Sequence, residues 1–128
     1  MKFLTLEQIL AIYELLLEET GGGSGVRDQG RLESVVATQT QAVFGAEIYE
    51  SPHDKAAALI RGIIADHPFV DGNKRTGMLS GLTFLEINGE DTKVNEGDLE
   101  DFAVKVATDK LSVEEIAEWL KAHSEPQK

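Results

Sequence analysis

The sequence predicts an all-α fold, a single domain over residues 1 to 128 in which about six helices surround a central apolar pair. Apolar residues recur at the spacing of an α-helix almost throughout the chain. Residues typical of helix starts precede several of these stretches. Only residues 44 to 50 have a mixed or extended character. A chain of 128 residues is long enough to bury one core without disulfides.

The first part of the chain begins with a clearly marked helix. Thr5 and Gln8 form a capping box ahead of an apolar stripe, which predicts a helix over residues 6 to 19. The glycine-rich residues 21 to 25 should end that helix and form a loop inside the domain. Asp28 is expected to cap a second helix. Its inner face would carry Leu32, Val35, Val36 and Val43.

The middle of the chain holds the most apolar predicted helix. Residues 44 to 50 should form a loop, or else a small β-hairpin. Ser51 followed by Pro52 is a specific start signal for a third helix, which we expect to run to about Asp66. That helix is apolar nearly all round and is therefore predicted to be central. Pro68 should end it at the preceding residue.

Three further helices complete the predicted fold. The fourth should start at Asn73, as its N-cap, and run to Ile87, giving the second member of the central pair. A fifth is expected around residues 99 to 106, and a capping box at Ser112 predicts the sixth. Residues 124 to 128 are expected to be a frayed tail.

Composition excludes several classes of function. The net charge of −11, from 23 acidic and 12 basic residues, does not suit a protein that binds nucleic acid directly. No cysteine is present, so there is no disulfide, thiol nucleophile or thiolate metal site. We find neither a signal peptide nor an apolar stretch long enough to span a membrane. These features predict a cytoplasmic protein that does not engage the membrane.

The segment HPFVDGNKRT, which begins at His67, is the densest in chemical groups. It combines a potential base, His67, a potential metal ligand, Asp71, and two cations, Lys74 and Arg75. These residues lie where a helix is predicted to start at Asn73, and unpaired backbone amides at a helix start favour an anion. A base, a carboxylate and a cationic anion site are the groups needed to move a phosphate-bearing group from a nucleotide to a hydroxyl.

This segment resembles the signature of the Fic/Doc family, His-x-Phe-x-[Asp/Glu]-[Gly/Ala]-Asn-[Gly/Lys]-Arg. Every fixed position of the signature is matched, by His67, Phe69, Asp71, Gly72, Asn73, Lys74 and Arg75. Seven specified positions within nine residues make a specific signal. Residues 25 to 28 and the helix from Lys55 also look like those of Doc-type members, so the resemblance covers most of the chain.

The resemblance implies a role for the side chains of the motif. His67 would be the general base that takes the proton from a serine or threonine hydroxyl. Asp71 would hold Mg²⁺ against the phosphates of ATP. Gly72 and Asn73 would present backbone amides to the nucleotide, and Asn73 would also orient the loop. Phe69 is expected to pack the loop against the core.

The two cations of the motif bear on which phosphate is transferred. Lys74 and Arg75 would bind phosphate oxygens, Arg75 with the better forked geometry. Fic proteins carry glycine in place of Lys74 and an arginine in place of Met78, and both departures look like the Doc branch. Glycine leaves the helix start open for an interior phosphate, so that AMP is transferred. A lysine fills part of that space, and the resemblance implies transfer of the γ-phosphate by a kinase.

The Doc branch also implies partners. Its members are toxins of toxin–antitoxin pairs that arrest translation, and the family's target is a threonine of elongation factor Tu. A cognate antitoxin with a disordered C-terminal segment would fold into a groove on this chain and control it. The antitoxin, and not this acidic chain, would bind operator DNA.

Other interpretations stay open. The chain could transfer AMP, as Fic-type adenylyltransferases do, or could bind an antitoxin without catalysis. A metal-dependent hydrolase that uses His53 and His67 lacks enough ligands. Residues 92 to 97 fit a loose autoinhibitory pattern of Fic proteins, but the start of a helix explains them better. His53 and His123 are expected to be structural or surface residues.

Overall fold

The computed structural model describes residues 1 to 21 and 25 to 128, and these residues form the all-α fold that the sequence predicts. The helices are α1 (Leu6–Thr20), α2 (Gln29–Ala37), α3 (Pro52–Asp66), α4 (Asn73–Ile87), α5 (Glu96–Thr108) and α6 (Val113–Ala122), with a 3₁₀ turn at Thr38–Thr40. Two antiparallel strand pairs accompany them: β1 (Ala42–Val43) with β2 (Ala46–Glu47), and β3 (Glu90–Thr92) with β4 (Ser124–Pro126). Residues 22 to 24 of the predicted glycine loop lie outside the described residues.

The starts of α1, α3 and α6 lie where the sequence signals place them. Thr5 and Gln8 form a capping box at α1, and Ser112 and Glu115 form another at α6. Ser51 accepts a backbone hydrogen bond in the first turn of α3, which begins with proline. None of the helices in the described part of the chain has the length and apolarity that crossing a membrane requires.

The central pair of helices, α3 and α4, pack at unusually short range. A Cβ atom built on Gly81 of α4 would lie 2.5 Å from the Ile60 side chain and 3.2 Å from the Ala56 carbonyl oxygen. One built on Gly77 would lie 2.9 Å from the Ile64 side chain. Side chains at these positions would have no room, so the two glycines allow α4 to lie directly against α3.

Lys55 is the one charged residue in the buried stretch of α3, and its side chain is only 1% exposed. Its Nζ donates to the Gln39 carbonyl and, at 3.1 Å, to Glu47 Oε1. The Gln39 side chain in turn bonds both the amide and the carbonyl of Leu4. A buried charge needs such partners, and here they tie the N-terminal segment and the β1–β2 hairpin to the central helix.

The prediction for the chain around residue 43 was wrong. Val43 does not lie on the inner face of α2, because that helix ends at Ala37; it lies in β1 and is 52% exposed. The hairpin considered as the alternative to a loop is present, and it turns at Phe44 and Gly45, both with positive φ. The 3₁₀ turn and the Lys55 contacts change the direction of the chain before residue 43. The spacing of apolar residues in the sequence reveals neither of them.

The fraying predicted for residues 124 to 128 was wrong for Ser124–Pro126, which pair with β3. His53 Nε2 lies 3.0 Å from Ser124 Oγ and 3.3 Å from Glu90 Oε1, so this histidine joins α3 to both strands. Lys93 Nζ lies 2.8 Å from a Glu125 carboxylate oxygen, and this hydrogen bond and charge raise the pKa of Lys93. The pairing is non-local, and so the polar tail gave no local signal of it.

The close approach of α3 and α4 generates a stability prediction. Gly81→Ala should lower the free energy of unfolding by about 1–3 kcal/mol, because the added methyl group overpacks the Ile60 contact. Gly30→Ala in α2, where a Cβ meets nothing closer than 3.5 Å, is the matched control. It should leave stability unchanged or raise it by about 0.5–1 kcal/mol. Urea denaturation measures both, and equal midpoints for the two variants would contradict the packing account.

Candidate active site

The motif loop, residues 67 to 72, joins the end of α3 to the start of α4. His67 ends α3 in the left-handed conformation, with φ 48° and ψ 57°. Gly72 precedes α4 with φ 80°, which glycine adopts without strain. The loop therefore turns sharply at both ends, and its residues lie where the C-terminus of one central helix meets the N-terminus of the other.

Asn73 fixes the shape of this loop, although not as the predicted N-cap. Gly72 is the N-cap of α4, and Asn73 is the first residue of the helix. The Asn73 side chain is buried, its Oδ1 accepts from the Phe69 amide at 3.0 Å, and its Nδ2 donates to the Phe69 carbonyl at 3.0 Å. These bonds point back into the loop instead of forward along the helix, so Asn73 clamps the loop at its centre.

Phe69 anchors the loop to the core, as the sequence predicts. Its side chain is fully buried and stacks on the Tyr13 ring of α1, with the ring centroids 4.1 Å apart. Stacked aromatic pairs add to the free energy gained from burial alone. The chemistry-bearing residues on either side of Phe69 are therefore carried by a rigidly held backbone.

Two arginines that sequence reasoning did not assign brace the same loop from outside. Arg27 Nε donates to the His67 carbonyl at 2.8 Å, and its Nη2 donates to the Asp66 carbonyl at 3.1 Å. Arg31 Nη1 adds a bond of 3.0 Å to the Asp66 carbonyl. The last carbonyls of a helix lack partners within the helix, and basic side chains satisfy them. In sequence, residues 25 to 28 look like those of Doc-type members, but only the fold shows that Arg27 contacts the motif loop.

Residues 25 to 27 run antiparallel beside the motif loop. Val26 forms an isolated β-bridge with Phe69. The Val70 amide donates to the Gly25 carbonyl at 3.0 Å, and the Arg27 amide donates to the Pro68 carbonyl at 2.7 Å. Residues 68 to 70 at the centre of the motif loop are thus paired with this segment through their backbone.

The chemical groups of the motif project from this supported backbone. His67, Asp71, Lys74 and Arg75 are all exposed, and Asp71 Oδ1 accepts the Gly72 amide at 2.8 Å. His67 Nδ1 lies 3.4 Å from Asn73 Nδ2, a contact too long to fix which imidazole nitrogen carries the proton. The structure brings every predicted site residue to one junction.

The start of α4 offers backbone donors as well as side chains. The first intrahelical bond is donated by Thr76 to the Gly72 carbonyl at 3.0 Å. The amides of residues 73 to 75 precede that bond and have no acceptor within the helix. Together with the helix dipole and the two motif cations, they form a site suited to a phosphate group.

Two cavities flank the helix start. The smaller, about 220 Å³, is lined by Asp71, Gly72 and Arg75 from the motif and by Tyr13 and neighbouring α1 residues. The larger is a groove of about 580 Å³ between α1, α4 and α5. Its lining includes Leu15, Leu16, Lys74, Arg75, Met78, Leu79, Leu99 and Val104. Arg75 lines both cavities and lies 3.5 Å from a Glu100 carboxylate oxygen.

Met78 occupies the position at which Fic proteins carry an arginine. Its side chain is 1% exposed and packs in the core while lining the floor of the groove. No cation therefore stands one turn beyond Arg75. Lys74 is exposed beside the groove instead, so the positive charge of the site is concentrated in the first turn of α4.

The structure gives the discounted residues ordinary roles. Within residues 1 to 21 and 25 to 128, no group of three or more His, Asp or Glu side chains could hold a metal ion. His123 stacks on Trp119 at the end of α6. Asn95 accepts the Asp98 amide as the N-cap of α5, which accounts for the pattern at residues 92 to 97 as a helix start.

Comparisons with known proteins agree with this geometry. The family described as "Fic/DOC family" matches residues 3 to 85, which include the whole motif. The chain is 41% identical over 104 residues to the protein named Toxin Doc of Mycolicibacterium smegmatis, with 78% of each chain covered. It is 30% identical over 121 residues to the protein named Protein kinase doc of Escherichia phage P1, with 94% of each chain covered.

The clamp made by Asn73 generates a prediction. Asn73→Ala should lower the free energy of unfolding by about 1–3 kcal/mol, because the buried amide and carbonyl of Phe69 lose their partners. It should also speed hydrogen exchange at the Phe69 amide more than elsewhere. Asn95→Ala, which removes the α5 cap at a typical cost of about 1 kcal/mol, is the control and should not affect Phe69 selectively. Uniform acceleration in both variants would contradict the clamp.

Proposed function

The chain belongs to the Fic/DOC family, and from that premise we propose that it is a Doc-type toxin with protein kinase activity. It transfers the γ-phosphate of ATP to a serine or threonine hydroxyl of a protein. The proposal depends most on one observation: His67, Asp71, Lys74 and Arg75 are exposed together at the junction between α3 and α4. The names of the two relatives, Toxin Doc and Protein kinase doc, support the same branch.

His67 is the general base of the proposed reaction. The acceptor hydroxyl gives its proton to the imidazole as its oxygen bonds to the γ-phosphorus. The bond from that phosphorus to the β–γ bridging oxygen breaks, and ADP leaves with the electron pair. The exposed position of His67 lets it meet a hydroxyl on a protein surface. The Arg27 bond to its carbonyl fixes the backbone from which the ring projects.

Asp71 is suited to hold the Mg²⁺ that accompanies ATP. One of its oxygens accepts the Gly72 amide, and the side chain is exposed beside the orphan amides of α4. Mg²⁺ is commonly held by one or two carboxylates together with water and phosphate oxygens, so a single aspartate is a sufficient protein contribution. When bound, the ion neutralises charge on the phosphates.

Lys74 and Met78 favour γ-phosphate transfer over AMP transfer. Lys74 places a long cationic side chain in the first turn of α4, where glycine would leave room for an interior phosphate. Buried Met78 supplies no charge one turn later. The nucleotide is therefore held with its terminal phosphate at the cationic turn and nearest to His67.

Val26 offers an edge on which a protein substrate could lie. At its bridge with Phe69 the hydrogen bonds are made by the flanking residues, so the Val26 amide and carbonyl point away from the motif loop. The described part of the chain supplies no backbone partner for them. An extended substrate segment would pair here as a further strand, a common mode of peptide recognition. Its hydroxyl would then lie beside the motif loop.

The groove between α1, α4 and α5 suits the C-terminal segment of a cognate antitoxin. Its floor is apolar, and Leu15 and Val104 on its walls are 62% and 47% exposed, which is unfavourable for a surface left open. Lys74 and Arg75 line the same groove. A disordered segment that folds there would cover both cations, so binding and inhibition would be the same event.

The proposed target is a threonine of elongation factor Tu, and its modification would arrest translation. This target places the activity in the cytoplasm. Arrest of translation is a sufficient reason for a cell to keep such a protein bound to an antitoxin. Because this chain is acidic and therefore unsuited to binding DNA, the antitoxin would bind the operator DNA.

The function is tested by labelled nucleotide. Purified protein, Mg²⁺ and a translating bacterial extract should transfer label to one protein from γ-labelled ATP and not from α-labelled ATP. His67→Ala should lower the rate by about a hundredfold to ten-thousandfold, the usual contribution of a general base. His123→Ala, at the end of α6, is the control. Transfer of α-label would establish AMP transfer instead, and no transfer would favour a binding module.

Glu100 should compete with phosphate for Arg75. The Arg75–Glu100 pair is exposed on both sides and 3.5 Å long, so it is worth at most about 1 kcal/mol. Glu100→Gln should therefore lower the KM for ATP by up to about fivefold without changing kcat. Glu118→Gln removes an equally long exposed pair, with Lys121, and should leave the KM unchanged. An unchanged KM in Glu100→Gln would show that Glu100 does not compete with phosphate for Arg75.

The groove predicts where antitoxin binding can be lost without loss of fold. Leu15→Asp and Val104→Asp should each weaken antitoxin affinity by at least about tenfold, because a carboxylate must be desolvated in an apolar site. Ile48→Asp, on the hairpin and 45% exposed, is the matched control. Titration calorimetry with the antitoxin's C-terminal peptide measures all three. Equal affinities would place the antitoxin on another surface.

A further inference from the structure

We propose that the Tyr13 hydroxyl is a positioning group that sets the affinity for the protein substrate. The inference depends on the proposed kinase function and concerns the strand edge at Val26. Tyr13 lies in α1, outside the motif, and is 4% exposed. Its ring contacts Phe69 of the motif loop, and its hydroxyl contacts Gly25 in the segment that pairs with the loop.

The ring and the hydroxyl of Tyr13 make separate contacts. The ring stacks on Phe69 with an interplanar angle of 12°. The hydroxyl accepts from the Gly25 amide at 2.8 Å and lies 3.3 Å from the Gly25 carbonyl oxygen. A Cβ on Gly72 would lie 3.9 Å from the same ring. One side chain therefore touches the motif through its ring and residue 25 through its oxygen.

Gly25, which the Tyr13 hydroxyl contacts, is directly connected to the strand edge at Val26. The Gly25 carbonyl also accepts from the Val70 amide of the motif loop at 3.0 Å. Val26 follows immediately and carries the outward-facing amide and carbonyl proposed to receive the substrate. Gly25 has φ 119°, a conformation that favours glycine, and the backbone enters the paired segment in this conformation. The Tyr13 hydroxyl thus hydrogen-bonds to Gly25, the residue that adopts this conformation.

Removal of the Tyr13 hydroxyl should change how often residues 25 to 27 are paired with the motif loop, and should leave the phosphate-transfer step unchanged. Tyr13→Phe keeps the stacking that supports Phe69 and the motif loop, and it loses the bonds to Gly25. The paired conformation of residues 25 to 27 then becomes less populated. Apparent affinity for a ligand that needs that conformation falls in proportion to its population. Groups that bind ATP lie on the α4 side of the loop and are unaffected.

The test separates the hydroxyl from the ring. In Tyr13→Phe the KM for elongation factor Tu should rise by about twofold to tenfold, the usual range for a lost hydrogen bond. The KM for ATP and kcat should stay at their wild-type values. Tyr13→Leu, which also loses the stacking on Phe69, should lower kcat. Tyr49→Phe, on the segment after the hairpin, is the matched control for loss of a tyrosine hydroxyl.

A second readout keeps the inference independent of the substrate. Hydrogen exchange at the Val70 amide should be faster in Tyr13→Phe than in the wild type, and unchanged in Tyr49→Phe. Unchanged exchange and an unchanged KM would overturn the inference, as would a fall in kcat equal to the rise in KM. If wild-type protein transfers no label to any protein, the proposed function fails, and the exchange result alone decides whether Tyr13 positions the edge.

Discussion

The close contact between α3 and α4 is the constraint on which the rest of the structure depends. Gly77 and Gly81 let the two backbones approach, and that approach fixes the end of one helix beside the start of the other. A six-residue loop can then carry His67 at one end and the start of α4, with its backbone amides, at the other. The small residues buried between the helices are therefore as necessary to the site as its charged residues.

The motif divides into buried residues that shape the loop and exposed residues that carry its chemistry. Phe69 and Asn73 are buried and hold the backbone, whereas His67, Asp71 and Arg75 are exposed on it. Cations in the first turn of a helix are unfavourable without a nearby anion, since they face the positive end of the dipole. A bound anion would therefore stabilise the helix start, and preorganised donors at such a site would need little rearrangement.

Much of this could be predicted from the sequence because helix signals are local. Capping residues such as Thr5 and Ser51, and the apolar character of α3, act within a few positions of themselves. The predictions that were wrong concern residues whose structure depends on contacts outside their own helix or turn. Asn73 resembles an N-cap by type, but its side chain turns back to a loop residue; residues 124 to 126 are polar, but a strand pairs with them. The motif predicted which residues form the candidate site, whereas the bracing of its loop by Arg27 and Tyr13 could be seen only in the fold.

The packing of the last elements on α3 has a consequence for the order in which the molecule becomes complete during synthesis. Ile116 and Leu120 of α6 are buried in the same core as α3, and Ser124–Pro126 close over Glu90–Thr92. These elements leave the ribosome after the motif helices, so the nascent chain holds the motif loop before the core beneath it is filled. The proposed action on the translation machinery would therefore require elements that are made only at the end of the chain's own synthesis.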